Sequence, residues 1–512
     1  MSQGKVYLIG AGPGDPGLLT LRGAELLRRC DVVLYDGLSN PDLLAHAARA
    51  EHISVGKHGQ TRIWKQSEII DEMLAHARAG RIVARLKGGD PAVFARTAEE
   101  VDALRDARIE FEIVPGITAA LAAGSFAGIP VTHRGLASAV ALVTGHEEPE
   151  KTQSALDWDA LARFPGTLVV YMGVTTAEVW SGSLIAAGKP ADTPVALVRR
   201  CSLPDQQTIH CRLDEVADRL TPASKFRPPV IIIIGPVTRL AESMDWVSRR
   251  PLFGQTVMVT RPIGQSESMA ASLREWGAEV IVQPAIEIAA PDDWTATDSV
   301  VGQLDGFDYV VFCSHNGVQF FLDRMIQLGL DLRALAGIRI AVAGAKTASS
   351  LADYHLIADI VPTDFRAESL ATELAGEVSG KRVLIVRADR GRDVLPDRLT
   401  MAGAVVTEIA AYQNRDITSV DSKLAARVDA GEVDWVTVTS SASAANLHRM
   451  FGESLHQCKL VSLSPVTSGT LRDLGHVVAA EANPHTIDSM IDLIVQGHPF
   501  RKNSCDDDSV SS

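Results

Sequence analysis

The sequence predicts a multi-domain α/β protein, and three observations carry that prediction. Apolar, β-branched runs alternate with amphipathic stretches from one end of the chain to the other. Two glycine-rich loops of nearly the same chemistry each follow a strand-like run within the first hundred residues. The second half then repeats its own pattern, 126 residues apart from Gly254 to Gly380.

In chain order, KVYLI runs into GAGPGDPGLLT (Gly10 to Thr20), and RIVARL runs into KGGDPAVFAR (Lys87 to Arg96). Both loops carry Gly-Asp-Pro. Glycine lets backbone N–H groups approach a ligand with no Cβ in the way, and the aspartate can accept from ligand hydroxyls or amines. Two such loops on neighbouring strands predict one polar small molecule at the C-terminal edge of a parallel sheet. Gly12, Gly14 and Gly17 also fit G-x-G-x-x-G, and Asp36 closes the run DVVLYD 19 residues after Gly17. That spacing raises a dinucleotide, and with it an NAD-dependent oxidoreductase. Against it, Pro13 and Pro16 interleave the glycines and remove a backbone donor that a pyrophosphate would want. The helix is also expected to begin late, near Leu18 to Thr20.

The runs TLVVYM, PVALV and VIIIIGPV complete the first half, and a polar seam, DWVSRRPLFG (Asp245 to Gly254), ends it. Beyond the seam GQTVMVTRP at Gly254 returns as GKRVLIVRA at Gly380. WGAEV at Trp276 returns as AGAVV at Ala402, and FDYVVFCSHNGVQFF at Phe307 as VDWVTVTSSASAANL at Val433, again 126 residues on. AVAGAKTASSL at Ala341 answers more loosely to VSLSPVTSGTL at Val461, 120 residues on. Two copies of one α/β unit predict two similar lobes with a cleft between them. In each copy a strand ends in Ser or Thr before a helix. Ser314, Ser440 and Ser441 are N-caps on the plain reading, and donors to a carboxylate-rich ligand if paired across the cleft. The tail, 500–512, is polar and acidic and is expected to be disordered.

At 512 residues the chain exceeds what one core sustains. Hydrophobic content of 46% with 22% charged residues describes an ordinary globular protein. A net charge of −14 argues against nucleic acid or an anionic membrane as the main partner, and an anionic substrate would need a locally basic cleft. No apolar stretch spans a bilayer and no export signal is read, so the expected location is the cytoplasm. Six cysteines (Cys30, Cys201, Cys211, Cys313, Cys458, Cys505) lack C-x-x-C spacing and are expected to be buried and reduced, with no metal site.

Between residues 4 and 245 the motifs VYLIGAGPGDPGLLTLRG, DVVLYDGL, VGKHG, RLKGGDPAVFAR, VPGITAALAAGSFAGIPVTHR, LVTGH, TLVVYMG and PDQQTI closely resemble uroporphyrinogen-III C-methyltransferase of the tetrapyrrole methylase family. The resemblance implies S-adenosylmethionine in a trough between two α/β domains, a fold that accounts for the prolines of the first loop. It implies cofactor contacts at Pro13, Gly88, Gly89, Asp90, Val93, Thr118, Ala119 and Met172, with Cys201 where the family usually has Gly or Ala. Ala95 also stands in a place where the family commonly has glycine, which matters only if that backbone needs a positive φ. Asp36 and Lys57 resemble the family's acid/base pair. His133 and Arg134 either meet the acetate and propionate groups of the substrate or hold a structural hydrogen bond. A homodimer through this half is expected.

From about 254 to 497 the motifs VTRP, VFCSHNGV, TASSL, VPTDFRAESL, VRADRGRDVLPDRL, AAYQN and TSSASAANL resemble uroporphyrinogen-III synthase, a bilobal family. The match implies lobe one at 254–287 plus 414–497, lobe two at 292–410, and QPAIEI and EIAAYQ as crossing strands. The family's implicated tyrosine falls on Tyr412. A threonine of its late Gly-Pro-x-Thr turn falls on Thr467, with Ser464 in the glycine's place. The organisation expected is therefore a methyltransferase at 1–245, a linker at 246–253 and a synthase at 254–497. Together the halves imply a bifunctional enzyme that cyclises hydroxymethylbilane to uroporphyrinogen III and methylates it twice to precorrin-2. The alternatives are a methyltransferase whose second half senses tetrapyrroles without catalysis, and the NAD-dependent oxidoreductase. Whether precorrin-2 then goes to sirohaem, cobalamin or haem d1 stays open.

Overall fold

A computed structural model describes residues 4–56, 64–146, 154–224, 226–363, 367–390 and 393–497; Lys57 and the 500–512 tail lie outside the described residues. The chain forms two compact units, the first running to Gly254 with Trp276–Glu279, the second comprising Gln255–Glu275 and the chain from Val280. Among the described residues no helix is long and apolar enough to cross a membrane.

The first unit opens with β1 (Lys5–Gly10), β2 (Val32–Tyr35), β3 (Glu51–Ser54), β4 (Val83–Lys87) and β5 (Glu110–Val114), all parallel in the order β3-β2-β4-β1-β5. Alternate residues of β1 serve opposite faces. Val6 and Leu8 enter a core with Met73 and Leu104, while Tyr7 and Ile9 enter another with Leu26 and Leu43. Both faces are covered, which is why these strands read as continuous apolar runs rather than alternating ones. A mixed sheet follows: β6 (Val140–Thr144), β7 (Thr167–Tyr171), β8 (Pro194–Arg199), β9 (Gln207–Arg212) and β10 (Val230–Ile234) in the order β6-β7-β10-β8-β9. The central β10, VIIII, is buried at every position and runs antiparallel to both neighbours.

The seam expected as a linker at 246–253 makes contacts of its own. Trp246 Nε1 donates to the Ser125 carbonyl at 2.9 Å, its ring centroid lies 5.4 Å from that of Phe126, and the Arg250 guanidinium sits 4.3 Å over it. Leu252 is fully buried. The polar residues dominate the sequence pattern, but the half-exposed Trp246 holds the seam through the polar tip and faces of its ring, and Leu252 through burial.

The second unit contains β11 (Thr256–Val259), β12 (Glu279–Val282), β13 (Ile286–Ala289), β14 (Tyr309–Phe312), β15 (Arg339–Val342), β16 (Arg382–Ala388), β17 (Val405–Asp416), β18 (Trp435–Val438), β19 (Lys459–Ser462) and β20 (Val478–Glu481). They form two sheets, β12-β11-β18-β19-β20 and β13-β17-β16-β14-β15. The sequence repeat is reproduced residue for residue. β11 and β16, β12 and β17, and β14 and β18 begin 126 residues apart, and β15 and β19 begin 120 apart. The two lobes therefore share one order, β12-β11-β18-β19 against β17-β16-β14-β15. The long β17 pairs with β16 along its first part, while Gln413 to Asp416 pair antiparallel with β13 as a two-stranded ribbon.

Candidate active sites

The two Gly-Asp-Pro loops leave adjacent strands and bind each other. Gly12 N–H donates to the Gly89 carbonyl at 3.1 Å and Gly89 N–H to the Gly12 carbonyl at 2.8 Å, both residues being left-handed. The loop after β5 closes on them: a Cβ on Gly116 would lie 2.3 Å from Gly89 O. Only bare backbone fits. The aspartates are less free than the sequence suggests. Asp15 Oδ1 accepts from Gly17 N–H at 2.8 Å and Asp90 Oδ1 from Ala92 N–H at 2.7 Å. Asp90 Oδ2 accepts from Gly116 N–H at 2.8 Å, so this carboxylate first ties two loops together and meets a ligand with its remaining lone pairs. The first α-helix begins at Leu21, with Thr20 as its N-cap, after a single 3-10 turn at Pro16–Leu18. No α-helix begins at the second glycine, so the helix N-terminus that a dinucleotide's pyrophosphate needs is not offered there.

Elements of the second sheet supply the other side. Met172 follows β7, is half-exposed and has φ +54. The Tyr171 hydroxyl accepts from Ala120 N–H at 2.9 Å and shares a hydrogen bond with Thr118 Oγ1 at 2.6 Å, capping the helix Ala119–Phe126 from outside it. Val93 and Ala119 pack on the core that contains Cys201. Burial pushes the Cys201 thiol up to about 12, so it is a neutral side chain, 3.9 Å from the Ala119 carbonyl. Cys201 and Ala95 are each flanked by left-handed residues without being left-handed themselves, so neither position needs glycine. Of the seven non-glycine residues with positive φ among the described residues, five (Phe94, Arg96, Met172, Arg200, Ser202) lie in these loops. Each costs roughly 1–2 kcal/mol, strain that hydrogen bonds such as Asp15 N–H to Ser202 Oγ hold in place. Pro13 is partly buried in the first loop.

Asp36 ends β2 and is one member of a charge network the sequence pattern conceals. Arg85 Nη2 donates to Asp36 Oδ1 at 2.6 Å, and Gly88 N–H reaches Asp36 Oδ2 at 3.3 Å. Behind it the fully buried Glu100 accepts from Arg85 Nε at 3.2 Å, Lys87 Nζ at 2.7 Å and Gln66 Nε2 at 3.1 Å. Burial alone would weaken the proton affinity of Arg85, but Asp36 and Glu100 outweigh it and the net direction is upward. Burial and the adjacent Arg85 push Lys87 below the ordinary lysine range. Arg85 and Lys87 stand at i and i+2 on one strand face, with a glutamate thirteen residues after Lys87, the one sequence signal that could have found them. His133 and Arg134 are exposed. His133 Nδ1 accepts from Gly135 N–H at 3.1 Å inside a turn closed by His133 N–H on the Ala137 carbonyl.

Half-exposed apolar side chains, Leu38, Phe94 and Met172, stand in loops beside the Gly88–Asp90 turn, and a Cβ on Gly89 would find nothing closer than 3.9 Å. Soft apolar groups, backbone amides and the carboxylates of these loops suit an adenosyl group bearing a sulfonium.

In the second unit Tyr412 is buried on β17. Its hydroxyl shares a hydrogen bond with Ser314 Oγ at 2.9 Å and its ring stacks on Phe320 at 5.9 Å. Burial raises its pKa against the pull of Ser314 and Asn316, which keeps the phenol protonated. Tyr412, Ser314, Arg387 and Arg390 line a cavity of about 310 Å³. Ser314, Ser440 and Ser464 are all N-caps, accepting from Gly317, Ser443 and Thr467 N–H at 3.0, 3.1 and 3.4 Å. Ser441 is the first residue of its helix rather than a cap. Thr467, on which the family's threonine falls, is 2% exposed and faces Ser464 Oγ at 3.2 Å. The capping place is the extended residue before the helix, which is Ser464.

Two family models match, the tetrapyrrole (corrin/porphyrin) methylases over residues 5–217 and uroporphyrinogen-III synthase HemD over residues 267–492. Porphyrin biosynthesis protein HemD of Ruminiclostridium josui is 34% identical over 505 residues, 97% of this chain and 98% of that one. The chain belongs to this family of fused tetrapyrrole methylases and uroporphyrinogen-III synthases. The methylase half is also 45% identical to the S-adenosyl-L-methionine-dependent uroporphyrinogen III methyltransferase of Methanosarcina barkeri, over 47% of this chain and 94% of that one. It resembles the Thermus thermophilus uroporphyrin-III C-methyl transferase solved with S-adenyl homocysteine at 44% identity and a TM-score of 0.41, over 46% of this chain and all of the other. The fusion is a bifunctional enzyme of tetrapyrrole biosynthesis, with the methylase half built around the Gly-Asp-Pro loops and the synthase half around the repeated lobes.

Proposed function

We propose that the synthase half closes hydroxymethylbilane to uroporphyrinogen III, inverting the last ring, and that the methylase half methylates that product twice to precorrin-2. S-adenosylmethionine, bound by the loops at Pro13, Gly88–Asp90, Val93, Thr118–Ala119, Met172 and Cys201, supplies the electrophilic methyl group. The observation that carries this reading is the partly exposed Asp36 carboxylate, tethered by Arg85 at the Gly88–Asp90 loop. There it can stabilise a ring cation or take the proton that cation sheds, with Lys57 as partner acid. His133 and Arg134 are assigned to substrate carboxylates. Tyr412, protonated and lining a cavity with Ser314, is suited to donate to the departing hydroxyl or the inverting ring. Ser440 is assigned to the carboxylates of the same substrate.

We also assign the chain to the cytoplasm and to a homodimer through the methylase half. Unpaired Cys30, Cys201, Cys211, Cys313 and Cys458 suit a reducing compartment, and the exposed apolar Leu121, Leu136, Val140 and Leu142 are the kind of surface a second copy covers.

Incubating the full chain with hydroxymethylbilane and methyl-labelled S-adenosylmethionine, then identifying the tetrapyrroles, tests the reading. Doubly labelled precorrin-2 is expected. Tyr412→Phe should slow formation of uroporphyrinogen III while leaving methylation of supplied uroporphyrinogen III intact. Recovery of the spontaneous isomer I alone from the wild type would overturn the synthase assignment.

A further inference from the structure

In the methylase half one guanidinium joins two carboxylates, and only one of the two can meet a substrate. Asp36, at the end of β2, has 31% of its side chain exposed, whereas Glu100 has none. Arg85 stands between them on β4 and is itself buried. Its Nη2 donates to Asp36 Oδ1 at 2.6 Å, its Nε to Glu100 Oε1 at 3.2 Å, and its Nη1 to the Leu86 carbonyl at 3.2 Å. All three nitrogens are engaged, so the plane of the fork is fixed.

Glu100 is fixed in turn by two further groups. Lys87 Nζ, from the same face of β4, donates to Oε2 at 2.7 Å, and Gln66 Nε2, from the helix Gln66–Arg78, donates to Oε1 at 3.1 Å. Asp36 has no comparable support. Among the described residues its other side-chain bond is the long one from Gly88 N–H at 3.3 Å. The direction of the Asp36 carboxylate therefore follows Arg85, and that of Arg85 follows Glu100. The Gly88–Asp90 turn has ties of its own: Gly89 exchanges two backbone bonds with Gly12, and Asp90 accepts from Ala92 and Gly116 N–H.

We infer that Glu100 is a positioning residue for methyl transfer, aiming the Asp36 carboxylate through Arg85 without touching substrate or cofactor. This rests on the reading of Asp36 as the carboxylate that meets the ring cation. Misplacing such a group by about 1 Å can cost about 10²-fold in rate. Loss of Glu100 should therefore lower kcat, while the cofactor turn, held by its own bonds, keeps its affinity.

The test uses the full chain with uroporphyrinogen III and methyl-labelled S-adenosylmethionine, beside calorimetry with S-adenosylhomocysteine. Glu100→Gln should lower kcat about 10–10²-fold with little change in Kd. A double-mutant cycle with Asp36→Asn decides how that loss arises: in the Asp36→Asn background Glu100→Gln should lower kcat no further, because the group it aims is gone. An equal further loss in that background, or a Kd that weakens in step with kcat, would make Glu100 structural and overturn the inference. Asp36→Asn at wild-type turnover would sink the reading of Asp36 itself. Arg85→Lys is the second variant, should Glu100→Gln fail to fold. It keeps the charge, but a single nitrogen cannot replace a fork that holds one carboxylate by Nε and the other by Nη2. It should show the same loss of kcat and the same lack of further loss beside Asp36→Asn, and wild-type turnover in Arg85→Lys would also overturn the inference.

Discussion

Asp36 carries its charge on a short tether, and that tether sets what its removal should do. Arg85 holds one oxygen at 2.6 Å, so the carboxylate is positioned before substrate arrives. Asp36→Asn should lower the kcat of methyl transfer by about 10²–10⁴-fold, while calorimetry with S-adenosylhomocysteine shows little change in Kd. An unchanged turnover number would remove Asp36 from the chemistry. His315 gives a prediction with a sign. Its folded pKa of about 4 lies below the ordinary 6.5, so between those values the unfolded chain binds the proton and the folded chain does not. Stability from this residue is therefore present above 6.5 and lost as pH falls toward 4. His315→Gln should show a smaller drop in Tm between about pH 7 and about pH 5 than the wild type, and an equal drop would contradict it. At this scale the sequence reveals glycines and serines well, because their backbone roles follow from position. It conceals Tyr171, which caps a helix distant in the chain, and Arg85 and Lys87, which hide inside an apolar run.

At the scale of elements the repeat is the most legible feature. A period of 126 residues predicts not only that β11 and β16 correspond but that their neighbours pair in the same order. The contacts of the seam were not legible, since its charges mask Trp246 and Leu252, which make them. β4 is the element where pattern and structure part most. It is buried at all five positions yet carries two cations, which Glu100 from the helix Thr97–Asp106, bonded to both, and Asp36, bonded to Arg85, make tenable. Glu100→Gln leaves Arg85 and Lys87 buried with one carboxylate between them. Breaking such a network typically costs about 3–5 kcal/mol, and a lowered denaturant midpoint at unchanged slope should report it. A midpoint equal to the wild type would mean that Lys87 gives up its proton and the network rearranges at no cost.

For the whole molecule, the order of the halves is the reverse of the order of reactions: the second makes what the first consumes. Covalent fusion raises the local concentration of an intermediate, up to about millimolar for short flexible connections. Here Trp246 of the seam is tied to the methylase half by its hydrogen bond to the Ser125 carbonyl. Cutting the chain at Gly254 and mixing the parts at equal, dilute concentration should lengthen the lag before precorrin-2 appears. An identical lag would leave fusion as a matter of joint expression. The strand orders carry one more consequence, in time rather than space. The sheet β13-β17-β16-β14-β15 is complete once Asp416 has been synthesised, whereas β12-β11 must wait for β18, β19 and β20. On the ribosome the middle of the synthase half is finished while its first two strands still present an open edge, so the earliest residues of that half are the last to find their partners, and they are the ones most exposed to wrong pairing while they wait.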